Sequence, residues 1–271
     1  MELRGKVAVI TGAGGLGSGR AEALRLAGSG CRVIVSDIDE VGATETVRLI
    51  REAGGEGEPF RCDVGSETQV AALMAFAKET YGRLDILINN ASAPYRPRAP
   101  LSAWRETIQV DLFGAIYGTQ YALPIMGKQG GGTILNVGST SALGHGEGHC
   151  GAPAYDIAKI GVIRLTTTLR DLREKSNIRV NCLVPGWVAV PEVKAYYDAL
   201  TPLQRRDPRI PPRLTTLDEV TQAVVDLITD ESLAGRILVM WSGEEPGLVP
   251  LNDQGYERLE PYARKPMSSA A

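Results

Sequence analysis

Two side chains that could move a proton lie four residues apart, in Tyr155-Asp156-Ile157-Ala158-Lys159. Residues four apart on a helix share one face, so the Lys159 ammonium would lie beside the Tyr155 phenol. A nearby ammonium stabilises the phenolate and makes a tyrosine a usable general acid or base. The spacing alone also suits a packed tyrosine with a solvated lysine. Its position after an apolar strand, with Ser139 upstream, favours the catalytic interpretation.

A glycine-rich turn, Thr11–Gly19, joins the first apolar strand to a helix. Glycine lets the backbone approach a pyrophosphate closely, and the helix N-terminus supplies free N–H groups. Asp37, at the end of the second strand, would accept hydrogen bonds from a ribose diol and repel a 2′-phosphate, which predicts NAD(H) rather than NADP(H). The alternatives are a flexible turn and an aspartate that caps the next helix. The candidate phosphate contacts are Gly12, Gly15, Leu16 and Gly17.

Polar residues also follow the third and fourth predicted strands. Asp63 ends the third strand, and Asn90 and Ala91 follow the fourth. Ligands bind at the carboxyl ends of strands in open α/β sheets, so these residues would border the same crevice. The alternative for both Asn90 and Asp63 is that they only form turns.

Apolar strands and amphipathic helices alternate along most of the chain. Strands that are continuously apolar need cover on both faces, which right-handed strand–helix–strand crossovers supply. We therefore predict one α/β domain over residues 1–241, a doubly wound Rossmann-type fold whose parallel sheet has about seven strands and helices on both faces. Residues 242–271 would form a tail that packs on the body or on a neighbouring subunit. The predicted strands are Val7–Thr11, Arg32–Asp37, Phe60–Asp63, Leu84–Asn89, Gly132–Gly138, Ile178–Val184 and Arg236–Trp241. The predicted helices are Gly17–Gly28, Val41–Ala53, Glu67–Tyr81, Ser102–Lys128 (one helix or two abutting ones), Pro153–Lys175 and Leu217–Thr229.

The composition excludes several classes of protein. The chain has 271 residues and a net charge of −3, which argues against a nucleic-acid partner. No stretch approaches the length of a membrane span, and the N-terminus lacks the apolar core of a signal peptide. The four cysteines are far apart and without a CxxC pair, which indicates buried free thiols in a reducing compartment. We expect a cytoplasmic protein without a metal site.

Taken together, these motifs resemble those of the short-chain dehydrogenase/reductase family, and the resemblance runs from Lys6 to about Val239. Its specificity comes from the joint occurrence of many features along nearly the whole chain. The matching residues are Thr11–Gly19, Asp37, Cys62-Asp63-Val64, Asn89-Asn90-Ala91, Ser139, Tyr155, Lys159 and Pro185-Gly186.

The resemblance implies roles for individual residues. Tyr155 would exchange a proton with the substrate oxygen, Ser139 would hydrogen-bond that oxygen, and Lys159 would hold the nicotinamide ribose. Asp63 and Val64 would bracket the adenine. The nicotinamide would be lined by Pro185, Gly186 and Val188.

The resemblance also implies an activity and an assembly. We expect an NAD(H)-dependent oxidoreductase that interconverts a secondary alcohol and a ketone. The alternatives are an NADPH-dependent ketoreductase and a weakly active nucleotide-binding scaffold or sensor of the same fold. The family is usually dimeric or tetrameric, often through paired long helices that correspond to Leu112–Lys128 and Pro153–Lys175.

Two departures from the family pattern lie at the predicted site. The glycine turn has one residue more than the common form, so either Gly17-Ser18-Gly19 or Gly15-Leu16-Gly17 is the equivalent triplet. Asp111 stands where relatives carry an asparagine that contributes mainly a backbone carbonyl to a water chain reaching the lysine. Asp111 could keep that role, face solvent, or compete for the charge of Lys159. Our hypothesis is that Asp111 tunes the pH dependence.

Three further departures concern the substrate side. Ser139 and Tyr155 are 16 residues apart, about three more than usual, and the extra length contains His145, Glu147, His149 and Cys150. This loop is predicted to contact substrate or to be a surface excursion, and a metal site there is disfavoured. Val190 replaces a threonine that contacts the nicotinamide carboxamide in relatives.

Residues 191–216 occupy the position of the family's substrate lid. The apolar residues there have helical spacing and would face either substrate or the protein body. The four arginines of this segment are predicted to be solvated, with recognition of an acidic substrate as the alternative. The apolar residues are Val193, Tyr196, Tyr197 and Leu200, and the arginines are Arg205, Arg206, Arg209 and Arg213.

Overall fold

The computed structural model describes residues 1–143 and 151–251. Seven parallel strands and one short antiparallel strand form a single sheet in the order β3-β2-β1-β4-β5-β6-β7-β8. The direction of winding reverses between β1 and β4, and ligands bind at such a switch point in doubly wound sheets. The strands are β1 (Val7–Thr11), β2 (Arg32–Asp37), β3 (Glu56–Arg61), β4 (Ile86–Asn89), β5 (Gly132–Val137), β6 (Ile178–Pro185), β7 (Ile237–Met240) and β8 (Gly247–Leu248).

Helices cover both faces of the sheet. Helices α1, α2 and α9 pack on one face, and α3, α5 and α6 pack on the other. Successive strand residues point to opposite faces, so Ala8 and Ile10 lie in one core while Val9 lies in the other. The helices are α1 (Ser18–Gly28), α2 (Glu40–Glu52), α3 (Glu67–Tyr81), α4 (Trp104–Ile108), α5 (Gly114–Lys128), α6 (Pro153–Thr168), α7 (Leu172–Ser176), α8 (Pro191–Asp198) and α9 (Leu217–Thr229).

The predicted α/β domain with helices on both faces is confirmed, and the strand count needs a correction. Seven strands are parallel as predicted, and β8 adds an eighth that pairs antiparallel with β7 through Leu238 and Leu248. The sequence did not indicate β8 because it has only two residues, both exposed.

Some predicted boundaries were wrong. Strand β3 begins at Glu56 rather than Phe60 and ends at Arg61 rather than Asp63. It lies at the edge of the sheet and is only partly buried, so its sequence lacks the continuous apolar character of the central strands. The long helix predicted over 153–175 is divided into α6 and α7. Residues 102–128 contain α4, a π-helical turn at Gln109–Phe113, and α5.

A buried chain of polar side chains ties the helices to the centre of the sheet. The Asn89 amide donates to Asn136 Oδ1 at 2.9 Å, and the Asn136 amide donates to Thr166 Oγ1 at 3.0 Å. Thr166 belongs to α6, which carries Tyr155 and Lys159. Because buried polar groups are costly to leave unpaired, this chain restricts how α6 can sit on the sheet.

The cysteines within the described residues match the expectation. Cys31, Cys62 and Cys182 are buried free thiols, and burial raises the pKa of Cys62 to about 11. Cys150 lies outside the described residues. Over residues 1–143 and 151–251, the helices fall short of the length and apolar character that crossing a bilayer requires.

Candidate active site

Tyr155 and Lys159 lie one turn apart on α6, at the carboxyl edge of the sheet. Pro153 begins this helix, a position where a missing N–H costs nothing. The Lys159 ammonium lies 5.4 Å from the centroid of the Tyr155 ring and donates to the Val137 carbonyl at 2.9 Å. Lys159 is buried, whereas Tyr155 is partly exposed. The structure thus brings a phenol and an anchored cation together beside the end of β5.

Ser139 follows β5 by two residues and lies at the same edge of the sheet. Its hydroxyl lies 2.9 Å from the Ser141 hydroxyl and accepts from the Ser141 N–H at 3.2 Å. Gly138 precedes it, and any side chain there would press on Val184, Cys182 and Ile163. This close packing determines where the backbone at Ser139 leaves the sheet.

Asp111 lies in the π-helical turn before α5, and its carboxylate points inward. The Asp111 side chain has no solvent exposure, and its Oδ1 lies 3.5 Å from the Lys159 ammonium. Ser92 Oγ donates to the same oxygen at 2.5 Å, and the Ala93 N–H donates to Oδ2 at 3.2 Å. The prediction that Asp111 could face solvent is therefore wrong, and the carboxylate is in position to compete for the charge of Lys159.

The close packing of Gly19 decides how the glycine turn aligns. A Cβ at Gly19 would lie 2.4 Å from the Gly12 carbonyl oxygen and 2.5 Å from Asn90 Nδ2, so only glycine fits there. Gly12 has a φ of 68° and packs on Ala91. Gly19 is thus the glycine of close helix–strand packing, which favours Gly17-Ser18-Gly19 as the triplet.

The start of α1 fits the phosphates of a dinucleotide. Helix α1 begins at Ser18, and no side chain caps its N-terminus at Gly17. No described atom lies within 4 Å of a Cβ built at Gly15, and at Gly17 only Val190 Cγ1 approaches, at 3.8 Å. Leu16 is exposed. Uncapped N–H groups beside an open surface are what an anion requires.

Asn90 holds the turn together from the neighbouring strand. Its amide nitrogen donates to the Thr11 and Gly12 carbonyls at 2.9 and 3.2 Å, and its Oδ1 accepts from Ser18 Oγ at 2.8 Å. Thr11 Oγ1 accepts from the N–H groups of Asn90 and Ala91. Both the nitrogen and the oxygen of the Asn90 amide therefore have hydrogen-bond partners within the protein, which matches the turn-forming alternative. A contact between Asn90 and the cofactor stays a prediction.

Asp37 lies beside the same turn. Its Oδ2 accepts from the Gly14 N–H at 2.8 Å, and its Oδ1 accepts from the Asp39 N–H at 3.0 Å. Asp39 rather than Asp37 caps α2, because its side chain accepts from the Val41 N–H. Arg20 Nε donates to Thr46 Oγ1 at 2.8 Å and the same guanidinium donates to the Gly14 carbonyl, which fastens the turn to α2. The sequence did not predict these contacts of Arg20.

Asp63 and Val64 lie just after β3, on the proposed adenine side. Asp63 Oδ1 accepts from the Gly65 N–H at 2.9 Å, and the Asp63 N–H donates to Gln69. Val64 is buried and packs on Gly114. A Cβ added at Gly114 would lie 2.9 Å from Val64 Cγ2. Asp63 therefore also forms a turn, as the alternative predicted.

The segment after β6 is held by residues that the sequence did not single out. Ser242 Oγ accepts from the Trp187 N–H at 2.7 Å and lies 3.0 Å from Thr215 Oγ1. Gly186 packs directly on Ser242, and Val188 forms a β-bridge with Thr215. These contacts place Pro185, Gly186 and Val188 at the same edge as Tyr155.

Aromatic rings from the lid and from neighbouring segments lie near Tyr155 and Trp187. The Tyr95 and Tyr155 rings meet edge to face at 6.2 Å, and the Trp187 and Tyr196 rings lie 6.0 Å apart. Tyr196 is exposed, whereas Tyr197 donates to the carbonyls of Pro211 and Pro212. Val193 is half-buried and Leu200 is buried, so the apolar residues of this segment divide between the body and an open face.

Three of the four lid arginines have partners within the lid or at its border. Arg205 stacks on Tyr197 at 4.4 Å, and Arg209 pairs with Asp207. Arg213 pairs with Glu219 at 2.7 Å, and this bond holds the pKa of Glu219 at about 2. Such exposed pairs agree with solvated surface charges.

The loop with His145, Glu147, His149 and Cys150 lies outside the described residues. Within 1–143 and 151–251, the structure shows no group of three or more potential metal ligands.

Known proteins resemble this chain in sequence and in fold. The sequence model described as short chain dehydrogenase matches residues 6–200. A cis-4-hydroxycyclohexanecarboxylate dehydrogenase of Sinomonas cyclohexanicum is 37% identical over 246 residues, which cover 88% of this chain and 96% of the relative. A 7α-hydroxysteroid dehydrogenase complexed with NADH and 7-oxo glycochenodeoxycholic acid superposes with a TM-score of 0.78 at 31% identity, over 89% of this chain and 96% of that one. An NAD⁺-bound xylitol dehydrogenase superposes with a TM-score of 0.81 at 26% identity, over 90% of this chain and 100% of that one. This chain is a member of the short-chain dehydrogenase/reductase family of oxidoreductases.

Proposed function

We propose that this protein is an NAD(H)-dependent oxidoreductase that interconverts a secondary alcohol and a ketone, with Tyr155 as its general acid and base. The observation that carries this proposal is the Lys159 ammonium, buried 5.4 Å from the Tyr155 ring centroid at the switch-point edge of the sheet. A cation so placed favours the phenolate form. Membership of an oxidoreductase family supplies the reaction class.

The cofactor proposal rests on the glycine turn and Asp37. The uncapped start of α1 offers N–H groups to a pyrophosphate, as described above. The Asp37 carboxylate beside this turn would accept hydrogen bonds from a ribose diol and repel a 2′-phosphate. Two structural neighbours, one complexed with NADH and one bound to NAD⁺, support a nicotinamide cofactor here. The bound cofactor would supply the acceptor for the hydride of the carbinol carbon.

The residues of this chain would transfer the proton that accompanies the hydride. In the oxidation direction, the Tyr155 phenolate takes the hydroxyl proton of the alcohol, and in reduction the phenol returns it to the ketone oxygen. Ser139 donates a hydrogen bond to that oxygen in its alkoxide-like state. Lys159, anchored on the Val137 carbonyl, would donate an N–H to the nicotinamide ribose.

We propose a ring-shaped secondary alcohol as the substrate class. The relatives named above include dehydrogenases of a hydroxycyclohexanecarboxylate and of a hydroxysteroid, both alicyclic alcohols. The exposed ring of Tyr196 beside Trp187, and Tyr95 against Tyr155, offer flat apolar surface to such a ring.

The test is a screen of NAD⁺ and NADP⁺ reduction over alicyclic, polyol and 3-hydroxyacyl alcohols, with Tyr155→Phe as the blank. We expect turnover of alicyclic alcohols with NAD⁺ and loss of at least about 100-fold in kcat for the variant. Preference for NADP⁺ would favour the ketoreductase alternative. Tight NAD⁺ binding without turnover of any alcohol would favour the scaffold alternative.

We further propose a homodimer or homotetramer that pairs α5 and α6 with the same helices of a second copy. Three exposed apolar side chains support this proposal, because Phe113, Ile157 and Ile160 are 39%, 45% and 42% exposed on or next to these helices. Ile160→Glu, measured by light scattering, should shift the protein toward monomer. An unchanged mass would exclude this surface.

A further inference from the structure

The buried carboxylate of Asp111 is shared by two different parts of the site. Its Oδ1 faces the Lys159 ammonium of α6 at 3.5 Å. The same carboxylate accepts from Ser92 Oγ and from the Ala93 N–H, both in the segment after β4. Ser92 is itself exposed, and it contacts Asp111 across 19 residues of sequence. A hydroxyl outside the proposed catalytic set is thus coupled to the lysine.

We propose that Ser92 is a positioning residue that sets the pH range in which Tyr155 exchanges its proton, acting through Asp111 and Lys159. This inference rests on the proposed role of Tyr155. Asp111 tunes the site because its charge opposes that of Lys159, and Ser92 controls how strongly it does so.

The charges of Lys159 and Asp111 act on the phenol in opposite directions. The Lys159 ammonium stabilises a Tyr155 phenolate, and a carboxylate at 3.5 Å from that ammonium cancels part of its field. Donors to the carboxylate draw its negative charge away from Lys159. Ser92 therefore weakens the opposition of Asp111 and favours the phenolate. Removing the hydroxyl and removing the carboxylate charge should shift phenol ionisation in opposite directions.

Few other ionisable groups face this cluster in the described part of the chain. Strand β6 contributes Cys182, whose burial raises its pKa to about 12 and keeps it a neutral thiol. The segment after β4 contributes Tyr95 against the Tyr155 ring, and α6 contributes Asp156 next to Tyr155 in the chain. Strand β5 contributes the Val137 carbonyl, which carries no charge.

The distances bound the size of the effect. Since the Asp111–Lys159 contact is 3.5 Å and the Lys159–ring distance is 5.4 Å, the carboxylate lies within about 9 Å of the Tyr155 ring centroid. A unit charge at that distance shifts an ionisation midpoint by about 0.3 pH units in a water-like medium and by about 1.4 at an effective dielectric constant near 20.

The experiment titrates the ligand-free protein by tyrosinate absorbance, with the spectrum of Tyr155→Phe subtracted so that one phenol is followed. Asp111→Asn should lower the midpoint by about 0.3 to 1.4 pH units, and Ser92→Ala should raise it by less than that. Ser92→Thr keeps the hydroxyl and should restore the original midpoint. The double variant Ser92→Ala/Asp111→Asn should match Asp111→Asn alone, because Ser92 acts only on the charged carboxylate. The pH profile of kcat/KM should move in the same order.

Three results would overturn the inference: shifts of the same sign, no shift in Ser92→Ala, or a Ser92→Ala shift that persists in the Asp111→Asn background. The titration needs neither cofactor nor substrate. The expected shifts in a protein that oxidises no alcohol would therefore reject the proposed function and leave the coupling intact. Active enzyme without the shifts would do the reverse.

Discussion

Glu22 offers the sharpest test of the energetics of this fold. It lies on α1, the helix that begins at the glycine turn, and it is completely buried. Neither carboxyl oxygen has a hydrogen-bond partner among the described residues. Burial without a partner raises the pKa of Glu22 to about 8, so the folded protein holds this side chain protonated at neutral pH. The perturbation is Glu22→Gln, which keeps the shape and removes the titration.

The sign and size follow from linkage. Below pH 4.5 the carboxyl group is protonated in both the folded and the unfolded chain, and it costs nothing. Between pH 4.5 and 8 the unfolded chain releases the proton while the folded chain keeps it, so stability falls by about 1.4 kcal/mol per pH unit. The free energy of unfolding relative to Glu22→Gln therefore falls by about 3 kcal/mol from pH 4.5 to pH 7. It falls by about 5 kcal/mol by pH 8 and is flat above that.

The assay is urea unfolding of both proteins at intervals from pH 4.5 to 9, followed by circular dichroism. Glu79→Gln, a change at an exposed glutamate of α3, is the matched control and should follow the wild-type curve at every pH. Parallel curves for wild type and Glu22→Gln would refute the reasoning, since they would mean that Glu22 ionises alike in the folded and unfolded chains.

Other predictions concern single contacts. Gly19→Ala should abolish folding or NADH binding, because its Cβ would lie 2.4 Å from the Gly12 carbonyl oxygen. Gly15→Ala should fold normally, because no described atom lies within 4 Å of its Cβ. Intrinsic fluorescence reports folding, and NADH fluorescence reports cofactor binding. Arg179→Met should lower the free energy of unfolding by about 3 kcal/mol. The reason is that the buried Arg179 guanidinium donates to the Asp230 carbonyl at 2.9 Å and to three other backbone carbonyls near the end of α9. Thermal melts measure the loss, and an unchanged melting temperature would contradict it. Thr216→Ala removes the cap of α9 and should cost about 1 kcal/mol in urea unfolding; a loss below a few tenths would show the cap to be dispensable.

The central strands and most helices were predictable because their signals are local. Strand β1 is wholly buried, and its continuous run of apolar residues predicts this burial. Helix α9 begins at a capping box of Thr216 and Glu219, and its predicted limits match the observed ones. Edge strand β3 was misplaced because half of it faces solvent. Strand β8 was missed because its two residues depend on pairing with β7 rather than on their own sequence.

At the site, the sequence by itself determined which side chains share a helix face and which follow a strand end. Tyr155 and Lys159 are neighbours by helical spacing alone. Packing decided the rest. The sequence left two alignments of the glycine triplet open, and the packing of Gly19 on the Gly12 carbonyl decided between them. It also left three environments open for Asp111, and the contacts with Ser92 and Lys159 decided among those. Contacts such as Trp187 with Ser242 join residues 55 apart. Periodicity constrains only neighbours along one element, so contacts between elements are set by how the helices settle on the sheet.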